Sequence, residues 1–220
     1  MEGNVMKILG ITDVHGKTSK VMKLVEVIDD VSPSIVMIAG DITNFGNSDR
    51  AKKVLEPLTT LEVPIVAVFG NCDGRDVPGI LEEMGILAHG RRVEVNGLGI
   101  VGIGGSNVTP FGTIWELTED EIGSILEKNY LPGNVILSHA PPYGTRADRT
   151  HSGVHVGSRA LRMFIEEKQP PFVLTGHIHE ARSVDRIGRT LIINPGPLFR
   201  GYYAVIKIEK DRVEAKLEKL

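Results

Sequence analysis

Cysteine is nearly absent: Cys72 is the only one in 220 residues. That excludes an intrachain disulfide and a thiolate zinc cage, and it fits a reducing compartment. An excess of one charge sign is missing too. Lys+Arg 25 against Asp+Glu 28 leaves a formal net charge of −3, without the basic footprint of a nucleic-acid binder. No apolar run approaches the roughly 20 residues needed to cross a bilayer. Met1-Glu2-Gly3-Asn4 opens straight into a strand-like run, with no secretory n-region, h-region or cleavage site. Glutamine occurs once, as Gln169 beside many Lys and Glu, a composition that leans slightly toward thermophiles. Repeats, low-complexity tracts and linkers are also lacking, so residues 1–220 read as a single domain, cytoplasmic by expectation. What is present is a globular composition, 41% hydrophobic and 24% charged, in a chain long enough to bury its own core. Oligomeric state stays open, a homo-oligomer included.

The first half alternates strands and helices. Ile8 to Ile11, Ile35 to Ala39 and Ile65 to Phe69 are near-continuous apolar runs, the pattern of parallel strands covered on both faces. Between them, Ser19 is expected to cap a helix carrying Val21, Val25 and Ile28 and stopped by Pro33. Ser48 is expected to cap a second helix reaching Leu61, kinked or split by Pro57. Further on, Asn96-Gly97 reads as a hairpin turn between Arg92–Val95 and Leu98–Val101. Thr118 and Glu121 form a capping box for a helix to about Lys128. Asn134 to Ser138 is a strand, Ser158 starts a helix that Pro170-Pro171 ends, and Phe172 to Leu174 is another strand. The tail, from Arg182 to Ile187, Thr190 to Ile193 and Tyr202 to Ile208 with a charged last strand, reads as a meander. The expected class is α/β: two stacked mixed β-sheets flanked by helices.

The carboxyl ends of these strands carry the chemistry. They deliver Asp13 and His15, Gly40-Asp41, Gly70-Asn71, His139, and Gly176-His177-Ile178-His179. Open α/β sheets bind ligands beyond the carboxyl ends of their strands. A lone Asp or His there is usually a turn residue, but seven after five strands are hard to read as independent turns. Oxygen and imidazole donors together suit Mn²⁺, Fe or Zn²⁺ better than Ca²⁺.

Asp13-x-His15, Gly40-Asp41, Gly70-Asn71-Cys72-Asp73, His139 and Gly176-His177-x-His179, in that order, resemble the calcineurin-like metallophosphoesterase family. The resemblance implies a four-layer αββα sandwich of two mixed β-sheets, the metallo-dependent phosphatase fold. It also implies two divalent ions, Mn²⁺ first, with Fe, Zn²⁺ or Ni²⁺ as alternatives. One ion would take Asp13, His15, Asp41 and His179; the other would take Asp41, Asn71, His139 and His177. The implied activity is hydrolysis of a small-molecule phosphoester, with a metal-bridging hydroxide attacking phosphorus in line. Asp73 falls at the family's acidic position and is by that resemblance a catalytic candidate. Cys72 stands where the family usually has a His that protonates the leaving group, and a subgroup shares this Cys. A thiol ionises about two units above imidazole and is the weaker donor near neutrality, so Cys72 reads either as catalytic or as a small filler.

No Arg follows Asp41 at once to clamp a dianion; the next residues are Ile42-Thr43-Asn44-Phe45-Gly46. A phosphodiesterase is therefore expected, with a phosphomonoesterase using Arg75 as the alternative. A non-catalytic scaffold, a use to which part of the family puts this fold, is the reading from another class; seven intact donors argue against it. The loop from Ala140 to Gly157 holds Tyr143, Arg146, His151 and His155 and is of functional length. His155, next to the helix start, is the favoured catalytic candidate there. Gly97-x-Gly99-x-x-Gly102 matches a dinucleotide fingerprint in letters only, because no helix opens after it.

Overall fold

The computed structural model describes residues 5–210 and 212–220; the opening Met1–Asn4 lies outside them. In chain order the elements are β1 (Met6–Ile11), α1 (Thr18–Val31), β2 (Ile35–Ala39), α2 (Ser48–Thr59), β3 (Ile65–Val68) and α3 (Val77–Glu83). Then follow β4 (Arg92–Val95), β5 (Leu98–Ile103), the short pair β6 (Ser106–Asn107) and β7 (Glu116–Leu117), α4 (Glu119–Asn129) and β8 (Val135–Ser138). The chain closes with α5 (Arg159–Lys168), β9 (Phe172–Leu174), β10 (Ser183–Ile187), β11 (Thr190–Asn194), β12 (Tyr202–Glu209) and β13 (Arg212–Lys219).

Two mixed sheets carry the fold, with strand orders β13-β12-β1-β2-β3 and β10-β11-β9-β8-β5-β4. Side chains on a strand alternate between its faces, and here both faces of each central strand are apolar. Ile8, Ile35, Met37, Val66 and Val68 meet Ile100, Val135, Leu137, Phe172 and Leu174 in a core between the sheets. The alternate positions Leu9, Ile11, Val36 and Ile38 pack instead on Val21, Leu24, Ile28, Val54 and Leu55 of α1 and α2. On the far side, Val101, Ile136, Val173 and Ile192 pack on Ile122, Leu126, Leu161, Phe164 and Ile165 of α4 and α5. Three cores separate four layers, αββα.

The capping box at Thr118 and Glu121 is formed, and Ser158 caps α5 by accepting from Leu161 N. Three local expectations are corrected. α1 begins at Thr18 with Lys17 at its N-cap and no side-chain cap, so Ser19 lies inside the helix. Asn47, not Ser48, caps α2, accepting from Arg50 N; an Asn and a Ser side by side are near-equal candidates. α2 also ends at Thr59 rather than Leu61, and Pro57 sits in its last turn, where little helix remains to be kinked. The tail is two hairpins rather than one meander. β10–β11 joins the six-stranded sheet beside β9, while β12–β13 joins the other beside β1.

Candidate metal centre

β1, β2 and β3 run parallel, as do β5, β8, β9 and β11. Their carboxyl ends share one edge of the sandwich, where the chain turns sharply. Asp13, His15, Asp41 and His177 all adopt left-handed backbone, with φ of 50°, 46°, 49° and 68°. That conformation costs about 1–2 kcal/mol for an L-residue, and such outliers concentrate where a site imposes them. The turns are clamped to each other: Asp13 N donates to Gly40 O at 3.1 Å and His15 N to Asp41 O at 2.9 Å. Two glycines permit the crowding. A Cβ on Gly70 would lie 2.0 Å from Asp41 Oδ1, and one on Gly176 would lie 1.8 Å from Thr12 Oγ1.

Asp13, His15, Asp41 and His179 aim one donor atom each at a common point, all within 4.8 Å of one another. His15 Nε2 and His179 Nε2 face each other at 3.0 Å. Asp13 Oδ1 is 3.2 Å from His179 Nε2, and Asp41 Oδ2 is 3.6 Å from His15 Nε2. Ligands about 2.0–2.2 Å from a shared ion lie about 3–3.5 Å apart, so the donor set fits a divalent cation. Asp13 Oδ2 is engaged elsewhere, accepting from Thr12 Oγ1 and His177 N.

The second set is deeper. His139 is fully buried, and its Nδ1 donates to Ala39 O at 2.7 Å. That bond leaves Nε2 to face Asn71 Oδ1 at 2.9 Å and Asp41 Oδ2 at 3.6 Å. With the ring proton on Nδ1, three acceptor atoms then converge, which again suits a cation. The His177 ring packs edge-on against His139 with centroids 5.1 Å apart. Asp41 Oδ2 thus lies 3.6 Å from an imidazole of each set, while Oδ1 accepts from Cys72 N at 2.8 Å.

Burial and crowded charge shape the titration of these groups. Burial, with the like charges of Asp13 and Asp73, pushes Asp41 up to about 7. Burial also acts to raise Asp13, but the His179 hydrogen bond and nearby imidazoles overcome it and hold the carboxyl at about 2. Burial beside His139 drops His177 to about 3, which keeps its ring neutral and free to ligate. The Cys72 thiol is pushed far up by burial and the Asp41 carboxylate.

All seven expected ligands therefore gather at one edge. Asp73 is fully buried and accepts from Ile42 N, Thr43 N, Thr43 Oγ1 and Gly70 N. Both its oxygens are committed to loop hydrogen bonds, which brace the Asp41 and Asn71 turns. His155 is not one of the clustered donors; its Nδ1 is 2.7 Å from Asp148 Oδ1. Two neighbours of the site were not anticipated. Phe199 packs on the His15 and His179 rings with centroids 5.4 and 5.1 Å away, and the charge of the adjacent Arg200 acts on His179. Leu198 N and Phe199 N donate to Thr12 O and Asp13 O. The sign available in the sequence was Asn194-Pro195-Gly196-Pro197, a break after one more strand of the same polarity.

A family model described as calcineurin-like phosphoesterase matches residues 6–181. An uncharacterized protein of Methanocaldococcus jannaschii is 39% identical over 201 residues, covering 87% of this chain and 88% of its own length. Among solved structures, a protein of Thermus thermophilus superposes with a TM-score of 0.73 at 18% identity, covering 97% of this chain and 99% of its own. A dimetal phosphatase from Danio rerio gives 0.63 at 14% identity, covering 97% and 98%. An archaeal phosphodiesterase gives 0.58 at 19% identity, covering 97% and 100%. At such identities the superpositions speak for the fold alone. The family match, however, takes in every strand end that carries a donor, and the chain belongs to the calcineurin-like phosphoesterases.

Proposed function

We propose that the protein is a phosphodiesterase working with two divalent ions, Mn²⁺ first among them, on a small phosphodiester. The observation that carries the pairing is Asp41 Oδ2, 3.6 Å from His15 Nε2 on one side and from His139 Nε2 on the other. Asp13, His15 and His179 would complete one ion's set, and Asn71, His139 and His177 the other's. Such ions, when bound, supply Lewis acidity toward phosphoryl oxygens and lower the pKa of water.

The chain's own part is to hold charge and geometry. Three buried carboxylates, Asp13, Asp41 and Asp73, give the edge a negative field that favours cations. Thr12, the Cys72 backbone and Ala39 fix which carboxylate oxygen or imidazole nitrogen faces the centre. The preference for a diester rests on the cations nearby. A dianionic monoester suits a guanidinium fork, yet Arg50, the first Arg after Asp41, has Nη2 bound to Gly16 O at 2.7 Å. Arg200, whose charge reaches His179, favours the second reading, a phosphomonoesterase. Matched nitrophenyl diester and monoester decide between them. A higher kcat/KM for the diester under the same metal and pH supports the proposal, and the reverse order refutes it.

A further inference from the structure

Breaking the P–O bond of an alkyl diester leaves an oxygen that must acquire a proton. The chain has seven histidines from which to draw it. His15, His139, His177 and His179 belong to the donor sets. His89 accepts from Gly104 N at 2.8 Å and packs on Phe69 with centroids 4.7 Å apart. His151 is exposed, and among the described residues its ring has no hydrogen-bond partner. Among the described residues, His155 alone is held by a carboxylate outside the metal centre.

That holding is elaborate for a surface loop. Asp148 is fully buried. Its Oδ1 takes Thr145 N at 2.9 Å and His155 Nδ1 at 2.7 Å; its Oδ2 takes Gly144 N and Gly157 N at 3.0 Å each. Every acceptor position of the carboxylate is filled, so the aspartate is rigid and the imidazole inherits its orientation. With Nδ1 facing Asp148, Nε2 is the nitrogen left for another partner, and the side chain keeps 35% exposure. The Tyr143 ring meets it edge-on with centroids 5.8 Å apart, and Arg159 stacks 4.0 Å over that ring.

The loop is also tied to both flanks of the metal centre. His151 N donates to the carboxylate of Glu180, next to His179. Asn107 Nδ2 donates to Val156 O at 3.1 Å. The strand pair holding Asn107 reaches Asn71, whose carbonyl accepts from Ile114 N and Trp115 N.

We propose that His155, oriented by Asp148, is the proton donor to the leaving-group oxygen, with Asp148 as its positioning residue. Water attack forms one P–O bond and releases a proton to solvent. The opposite P–O bond breaks, its electron pair stays on the leaving oxygen, and that oxygen takes the proton from His155 Nε2, which solvent then restores. The inference rests on the phosphodiesterase reading above.

The test compares two diesters on the Mn²⁺-loaded protein, one with a nitrophenolate leaving group and one with an alkoxide. His155→Gln should lower kcat on the alkoxide substrate by roughly 10²–10⁴-fold, and by at least tenfold more than on the nitrophenyl ester. Added imidazole should recover part of the alkoxide rate in His155→Ala. Asp148→Asn should steepen the leaving-group dependence through kcat with KM little changed. Equal losses on both substrates, or no loss, overturn the proposal while leaving the phosphodiesterase reading intact. A wild-type protein that hydrolyses neither ester overturns both.

Discussion

Around Asp41 one side is more open than the other. His15 and His179 keep 14% and 33% of their side chains exposed, and Phe199 packs over both rings. His139 shows none, and its ring is anchored to Ala39 O at the end of β2. The more open set is built from turns clamped to each other, whereas His139 of the other set is wedged between the two sheets. An ion in the first set could exchange with solvent more readily than one in the second. The difference predicts a split between stability and binding: losing fully buried His139 should loosen the sandwich edge, whereas losing partly exposed His179 should mainly cost metal.

The largest effect should come where the two sides meet. Asp41→Asn is expected to lower occupancy of both ions and cut turnover by roughly 10³-fold or more, the worth of several kcal/mol of charge stabilisation. Metal analysis of the purified variant with its diester kcat checks this; near-normal activity with both ions bound would refute the sharing. Next is Gly70→Ala, whose Cβ would collide with Asp41 Oδ1. Overpacking of this kind costs about 3 kcal/mol, measurable as a lower midpoint in urea, together with loss of metal.

The comparison sharpens with one substitution on each side. His139→Ala should destabilise the chelated protein by about 2–3 kcal/mol, because it empties a fully buried place and removes one of the two side-chain donors, with Thr12 Oγ1, to Ala39 O. His179→Ala should change stability by less than about 1 kcal/mol while still weakening metal binding. Equal stability losses would erase the distinction.

Proton competition gives a further test. Asp41 sits at about 7 in the fold against about 3.9 unfolded. Its contribution favours the fold below the unfolded value and is lost as pH rises through about 7. His177, held at about 3, works the other way, its contribution present above about 6.5 and lost as pH falls. The two oppose each other in a melting curve, and His179 adds a third proton: burial acts to lower its imidazole, but the hydrogen bond to Asp13 overcomes this and holds it above its usual value. Apparent metal affinity should therefore fall by at least about tenfold per unit below pH 7, with one or more protons, from Asp41 and His179, released per binding event. Calorimetry in buffers of different ionisation enthalpy reads those protons directly. The smallest effect is expected at Cys72. Burial and Asp41 keep its thiol protonated, so Cys72→Ser should leave nitrophenyl-diester turnover within a few-fold.

Much of this site was legible because its donors sit directly after apolar strands, where polarity and chain direction leave few alternatives. Asp13, Asp41, His139 and His179 are cases of that rule. Asp73 was not: nothing beside Asn71 in the sequence shows that its two oxygens accept four hydrogen bonds from the neighbouring loops. Asp148 in a polar loop looks like a turn residue, and only the fold brings His155 onto it. Phe199 and Arg200 reach the centre through a short turn docked on Thr12 and Asp13, contacts between distant segments that no local pattern encodes. The two final hairpins likewise share one local pattern but belong to different sheets. α3 is seven residues long, too short for its periodicity to stand out.

The most direct test of the central claim is a metal count tied to turnover. The protein is stripped with chelator and titrated with Mn²⁺ while ions bound per chain and hydrolysis of matched nitrophenyl diester and monoester are followed. Two ions per chain at saturation, with diester kcat/KM above that of the monoester, is the predicted result; saturation at one ion, or a faster monoester, would contradict it.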